Sequence, residues 1–148
     1  AEWNHIINTN LTGVWLGMKA QIPQILKSGG GGAIVNISSI AGIKALENVS
    51  AYAASKAAVI MLSRIAALEH ATNGIRVNVV CPGPVSTHMM QRFEAENPDF
   101  FREKILDSIP LKRIGTPEEV AKAILWLCSD DTSYMTGQCH ILDGGITA

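Results

Sequence analysis

The sequence predicts an α/β fold, a partial doubly wound parallel sheet of about three strands with helices packed against it. Three observations predict it. Short aliphatic and β-branched runs at 33–37, 75–80 and 138–142 are too brief for helices and show little of the polar alternation of a half-solvated sheet. Longer segments with apolar residues three and four apart separate them, which is the alternation that crossover connections produce. Turn chemistry marks the joints, as at Asn73-Gly74 and Cys81-Pro82-Gly83-Pro84.

The first segment, Glu2 to about Lys27, carries Trp3, Ile6, Ile7, Leu11, Val14, Trp15, Met18, Ile22, Ile25 and Leu26 at helical spacing. Pro23 is expected to kink or interrupt its last turns. Gly29 to Gly32 form a turn, and 33–37 reads as a strand buried on both faces. A loop over Ser39–Val49 leads to a helix near 50–72 whose core stripe is Ala51, Ala54, Ala58, Met61, Ile65 and Leu68. Asn73-Gly74 stops it. After the strand 75–80, the stretch 85–114 is polar and irregular, with short helices expected around Met89–Glu94 and Asp99–Asp107. Thr116-Pro117-Glu118-Glu119 opens a further helix, with a hydroxyl cap, proline at the first position and acids that suit the macrodipole. It runs to about Cys128 with Val120, Ala123, Ile124 and Leu127 inward, and 138–142 closes the sheet.

Composition narrows what such a sheet is for. The 148 residues are 47% hydrophobic and 17% charged, enough for one domain with a core and incompatible with a disordered chain. Twelve basic residues against thirteen acidic ones leave a net charge of −1, so neither nucleic acid nor an anionic membrane is an expected partner. No apolar run approaches ~20 residues, and no membrane span is expected. The charged share lies below the usual ~25%, as it would if a partner covered part of the surface or if part of the molecule lay outside these residues. Cys81, Cys128 and Cys139 form no C-x-x-C pair, which argues against a disulfide framework and for a reducing, cytoplasmic setting. His5, His70, His88 and His140 show no ligand spacing, and no metal is expected.

Chemistry concentrates around Tyr52 and Lys56. Four residues apart on a helix, they share one face, and an ammonium beside a phenol favours the phenolate. Taken alone, such a pair is a common feature of helix surfaces. Ser39 adds to it: it follows the carboxyl end of the strand 33–37, where open parallel sheets bind their ligands. Gly42 allows a tight turn between them.

These motifs, in register, resemble the short-chain dehydrogenases/reductases. They are Asn10-Leu-Thr-Gly13, Gly32-Ala-Ile-Val-Asn-Ile-Ser-Ser39, Tyr52-Ala-Ala-Ser-Lys56, Arg76-Val-Asn-Val-Val-Cys-Pro-Gly83-Pro-Val-Ser-Thr87, Arg113-Ile-Gly-Thr-Pro-Glu-Glu119, Thr136-Gly137 and Asp143-Gly144-Gly145. The resemblance implies a Rossmann-like domain. It also implies hydride transfer between NAD or NADP and a small alcohol/ketone substrate. Tyr52 would be the general acid/base, Ser39 would hydrogen-bond the substrate oxygen, and Lys56 would favour the tyrosinate and hold the nicotinamide ribose. Asn10 would place a water in a proton relay; the plain alternative for it is local backbone bonding. Pro82 and Gly83 would let the backbone approach the nicotinamide ring, and Val85 and Thr87 would bond its carboxamide. For Thr87 the plain alternative is a helix cap. The region 86–113 would be a substrate lid, its Met89, Met90, Phe93, Phe100 and Phe101 suited to an apolar or mixed substrate or to packing.

The family's Gly-rich dinucleotide turn does not occur in these 148 residues. Gly29–Gly32 precedes a strand and opens no helix, so it presents no helix N-terminus to a phosphate. Residues 1–148 therefore read as the C-terminal catalytic and nicotinamide part of a single domain, with strand 33–37 exposed along one edge. Cofactor binding and activity by the 148 residues alone are expected to be weak or nil. The resemblance further implies a homo-oligomer formed through helices 2–27 and 50–72. A competing reading is an inactive assembly module built on those helices. A serine hydrolase is disfavoured, because no G-x-S-x-G elbow surrounds Ser39.

Overall fold

A computed structural model describes residues 2–29 and 31–148. Ala1 and Gly30, the latter inside the expected glycine turn, lie outside the described residues. The chain opens with α1 (Glu2–Ile7), a π-helical turn over Asn8–Thr12 and α2 (Gly13–Lys27). Strand β1 (Gly32–Ile37) follows, then α3 (Ser50–His70) and β2 (Ile75–Pro82). The irregular stretch holds α4 (His88–Glu96), α5 (Pro98–Phe100) and a second π-helical turn, Phe101–Leu106. Helix α6 (Pro117–Cys128) and strand β3 (Cys139–Leu142) complete the order. The sheet is parallel throughout, in the order β1-β2-β3, with Gly32 opposite Ile75 and Val79 opposite Cys139.

Strand β2 is the centre of the core. Ile75, Val77, Asn78, Val79, Val80 and Cys81 are all buried, as a strand covered on both faces requires. Its polar side chains are bonded: Asn78 donates to the Met135 carbonyl and accepts from the Gln138 amide. Arg76 donates to the carbonyls of Leu127 and Ser129, closing the C-terminal end of α6. Thr116 caps the other end of α6 in a reciprocal capping box with Glu119.

Three expectations need correction. β1 is not buried on both faces: Ile34 is its buried side chain and Ile37 is exposed, because β1 pairs only with β2 and lines the sheet's edge. Pro23 does not interrupt α2, which runs through it to Lys27; buried Met18 and Ile22 hold the helix on the core past the missing N–H. Helix α3 is also rotated from its predicted stripe. It buries Ser55, Val59, Ile60, Ser63, Ala66 and Ala67, while Met61, Ile65 and Leu68 are exposed, Leu68 at 82%. The small residues let the helix sit close on β1 and β2. The hydroxyls of Ser55 and Ser63 donate to carbonyls of their own helix, which removes the cost of burying them. By length and mean hydropathy, 1.3 over its most apolar window, Ser50–Asn73 is apolar enough to cross a membrane. One face of it packs against β2, and the other, with Met61, Ile65 and Leu68, is exposed.

Candidate active site

A cleft of about 600 Å³ opens at the carboxyl ends of β1 and β2. Its floor is made where the chain leaves both strands. The Ser38 amide donates to the Val80 carbonyl at 2.8 Å, extending the pairing one residue past β1. The Ser38 hydroxyl then donates to the Lys56 carbonyl at 2.7 Å, so the end of β1 grips α3 directly. Ser39 caps the 3₁₀ turn Ile40–Gly42 by accepting from the Ala41 amide at 3.2 Å. Its own hydroxyl hydrogen remains free to donate into the cleft.

Gly42 is explained by this turn. A β-carbon there would lie 2.8–2.9 Å from the backbone of Lys56 and Ala57, so only glycine lets the turn rest on the helix that carries the lysine. Tyr52 and Lys56 share the cleft-facing side of α3, with Lys56 Nζ 5.6 Å from the centroid of the Tyr52 ring. Lys56 Nζ donates to the Ile37 carbonyl at 3.2 Å, which ties the ammonium to the end of β1. Burial pushes the lysine below its usual range, opposed by the Cys81 sulfur.

The opposite wall descends from β2. Pro82, Gly83, Val85 and Thr87 all line the cleft, and the Thr87 hydroxyl accepts from the Met90 amide, capping α4. Thr87 is therefore the helix cap, at a position on the cleft wall. Gly83 is also required by a contact that the sequence does not reveal. Its absent β-carbon faces Asp143 at 2.9 Å rather than the cleft. Asp143 is itself pinned by the Gly145 and Thr147 amides and the Thr147 hydroxyl.

The structure therefore brings Ser39, Tyr52, Lys56, Pro82, Gly83, Val85 and Thr87 to one cleft. Asn10 is not among its lining residues. It sits in the π-helical turn and donates to Ser55 Oγ at 3.2 Å, and Ser55 donates to the Tyr52 carbonyl. Asn10 touches the site only through α3. Of the five lid residues, Met89 and Met90 line the cleft, Phe93 and Phe100 pack edge-to-face at 5.9 Å, and Phe101 is buried.

Leu46, Val49 and the α6 residues Val120, Ala121 and Ile124 also line the cleft. Sequence reasoning assigned Val120 and Ile124 to the core, since an apolar stripe does not say whether it faces protein or a cavity. Among the described residues, no group of three or more His, Cys, Asp or Glu is placed to hold a metal ion.

An open parallel sheet with a serine, a tyrosine and a lysine beyond the carboxyl ends of its strands defines a class, the α/β proteins that work on ligands beyond their strand ends. Comparison with known proteins narrows it. A family model described as Enoyl-(Acyl carrier protein) reductase matches residues 1–147. Cyclohexanol dehydrogenase of Acinetobacter sp. (strain SE19) is 41% identical over 146 residues, covering 99% of this chain and 55% of its own. The 3-oxoacyl-(acyl-carrier-protein) reductase FabG of Thermotoga maritima is 44% identical over 145 residues, covering 98% and 57%. The solved structure of ElxO with NADP bound has a TM-score of 0.89 at 38% identity, covering 97% of this chain and 57% of that one. A short-chain type dehydrogenase/reductase from Mycobacterium marinum gives 0.89 at 38% identity, covering 99% and 57%. The chain belongs to the short-chain dehydrogenase/reductase family, an oxidoreductase family with a Rossmann-type sheet. It spans 55–58% of the length of curated relatives such as these.

Proposed function

We propose that this chain is the catalytic and nicotinamide-side part of a cytoplasmic oxidoreductase that interconverts a small alcohol and its ketone with NAD or NADP. The observation that supports it is the convergence of Ser39, Tyr52 and Lys56 on one cleft with the β2 end wall. The residues present fit a nicotinamide. Pro82 and Val85 offer apolar surface for a flat ring, Thr87 and Val85 polar groups for a carboxamide, and Lys56 keeps N–H donors beyond its one bond to Ile37. Bound there, the cofactor supplies or accepts a hydride at the substrate carbon.

This chain's residues handle the oxygen. In reduction, the Tyr52 hydroxyl gives its proton to the substrate oxygen while the Ser39 hydroxyl donates a hydrogen bond to the same atom. In oxidation, the proton returns to Tyr52. The Lys56 ammonium stays beside the phenol through both steps, 5.6 Å from the ring centroid. Leu46, Val49, Met89 and Met90 present apolar surface to the remainder of the substrate.

In the full natural polypeptide carrying this chain, Tyr52→Phe is expected to lower ketone-dependent NAD(P)H oxidation by about 10²–10⁴-fold. Near-normal turnover would remove Tyr52 from this role. The 148 residues alone are expected to be weakly active or inactive.

A second proposal concerns assembly. Trp15, Leu16, Met61, Ile65 and Leu68 are exposed on α2 and α3, and a groove of about 390 Å³ runs between these helices. We propose that this face pairs with a second copy, burying apolar surface that the chain alone leaves in water. Ile65→Glu together with Leu68→Glu is expected to shift the mass measured by light scattering to that of a monomer. An unchanged mass overturns the pairing.

A further inference from the structure

Two thiols that the proposed chemistry does not use lie on neighbouring strands. Cys81 on β2 and Cys139 on β3 point to the same side of the sheet, their sulfurs 3.6 Å apart, packed with Ile60 and Val79. Cys81 is fully buried, while Cys139 on the outer strand is only partly buried. Cys128, the remaining cysteine, is exposed and is not hydrogen-bonded to either.

The two are chemically unequal. The two sulfurs share one hydrogen bond that either can donate; that bond, and the positive charge of Arg64 on α3, hold the Cys139 thiol below its usual range. The same hydrogen bond, with burial, holds Cys81 protonated, well above the usual thiol range. A partly buried thiol of lowered pKa, 3.6 Å from a fully buried one, is the arrangement in which one sulfur is oxidised and the other resolves it.

We infer that Cys139 and Cys81 form an oxidation site, at which hydrogen peroxide oxidises Cys139 and Cys81 closes the product to a disulfide joining β3 to β2. The Cys139 sulfur attacks one peroxide oxygen. The S–O bond forms, the O–O bond breaks, and the departing hydroxide takes a proton to leave as water. The Cys81 sulfur then attacks the sulfenic acid. The S–S bond forms, the S–O bond breaks, and the Cys81 proton leaves with the hydroxyl as a second water. The two thiols lose two electrons in total and the peroxide gains them. The sulfurs close from 3.6 Å to a bonded distance of about 2.05 Å. That movement pulls on the residue immediately before Pro82 and Gly83.

The test exposes the reduced full natural polypeptide to equimolar hydrogen peroxide, alkylates the remaining thiols and maps peptides by mass. The expected result is a Cys81–Cys139 linked pair two hydrogens lighter than its separate peptides, reversed by dithiothreitol, with Cys128 still alkylated. In Cys81→Ala, dimedone is expected to label Cys139. Oxidation of Cys128 while Cys139 stays alkylatable overturns the proposal, as does oxidised Cys139 beside an unreacted Cys81. A rate comparison in the unaltered protein decides the case if Cys81→Ala fails to fold. Iodoacetamide is expected to modify Cys139 at least about fivefold faster than Cys128 at pH 7, and an equal or slower rate overturns the proposal.

Discussion

Ser38, Ser39 and Lys56, which make the floor of the cleft, each hold a backbone partner, whereas the nine residues of α4 that overhang it bury no side chain. The floor is fixed by main chain resting on main chain, at Gly42 against α3 and at Gly83 against Asp143. The overhang is tethered at the Thr87 cap and again at buried Phe101. Groups that act on a reacting atom need placement to fractions of an ångström. Groups that merely surround a substrate can move, and segments with few buried contacts open at low free-energy cost. In this chain the two demands are met by adjacent stretches of sequence.

The contrast can be broken by substitution, beginning with the largest effect. Gly42→Ala forces a β-carbon to 2.8 Å from the Lys56 carbonyl carbon. It is expected to cost about 1–3 kcal/mol, read as a lower Tm, and to reduce turnover by displacing the lysine. Gly83→Ala meets Asp143 at 2.9 Å and is expected to cost slightly less, within the same range of about 1–3 kcal/mol, because a strand end yields more readily than a helix. Ser38→Ala leaves the packing and removes one bond to the Lys56 carbonyl, a loss of about 1 kcal/mol by denaturant titration. Met89→Ala on the overhang is expected to change stability by less than about 0.5 kcal/mol while shifting KM. A Met89→Ala loss as large as that of Gly42→Ala would abolish the distinction.

Acidity sharpens the contrast at a third place. Glu119 is held down to about 2 by the Arg113 guanidinium and by the Thr116 amide. Its carboxyl titrates lower in the folded chain than unfolded, so its contribution is full above about pH 4.5. It is lost as the pH falls towards 2. The Tm difference between the unaltered chain and Glu119→Gln is therefore expected to shrink over that range. A difference that stays constant with pH would separate the capping box from this ion pair.

How much of this was legible follows the same physics. The strands and the caps at Thr87 and Thr116 were readable, because each depends on local chemistry or fixed spacing; Ser39, Tyr52 and Lys56 stood out only through the family resemblance, since alone they look like a turn former and a common helix-surface pair. The rotation of α3 was not. Periodicity finds an apolar stripe, and α3 has two: the one that looked like core, Met61, Ile65 and Leu68, is exposed, and Ser55 and Ser63 are buried instead. The reasons for Gly42 and Gly83 are contacts with residues far along the chain, and no local pattern records them. The π-helical turn at Asn8–Thr12 leaves no compositional trace either. The α6 wall of the cleft read as core because a cavity and a packed interior select the same side chains.

The bare side of β1 has a practical meaning. Among the described residues, no strand lies beyond the outward amides and carbonyls of Gly32–Ile37, and Val35 lies in the shallow trough beside α2. Left uncovered, such a border is a template on which further copies can add in ribbons. Solubility of any preparation that leaves it open should fall steeply with concentration, and a lysine introduced at Val35 should restore it.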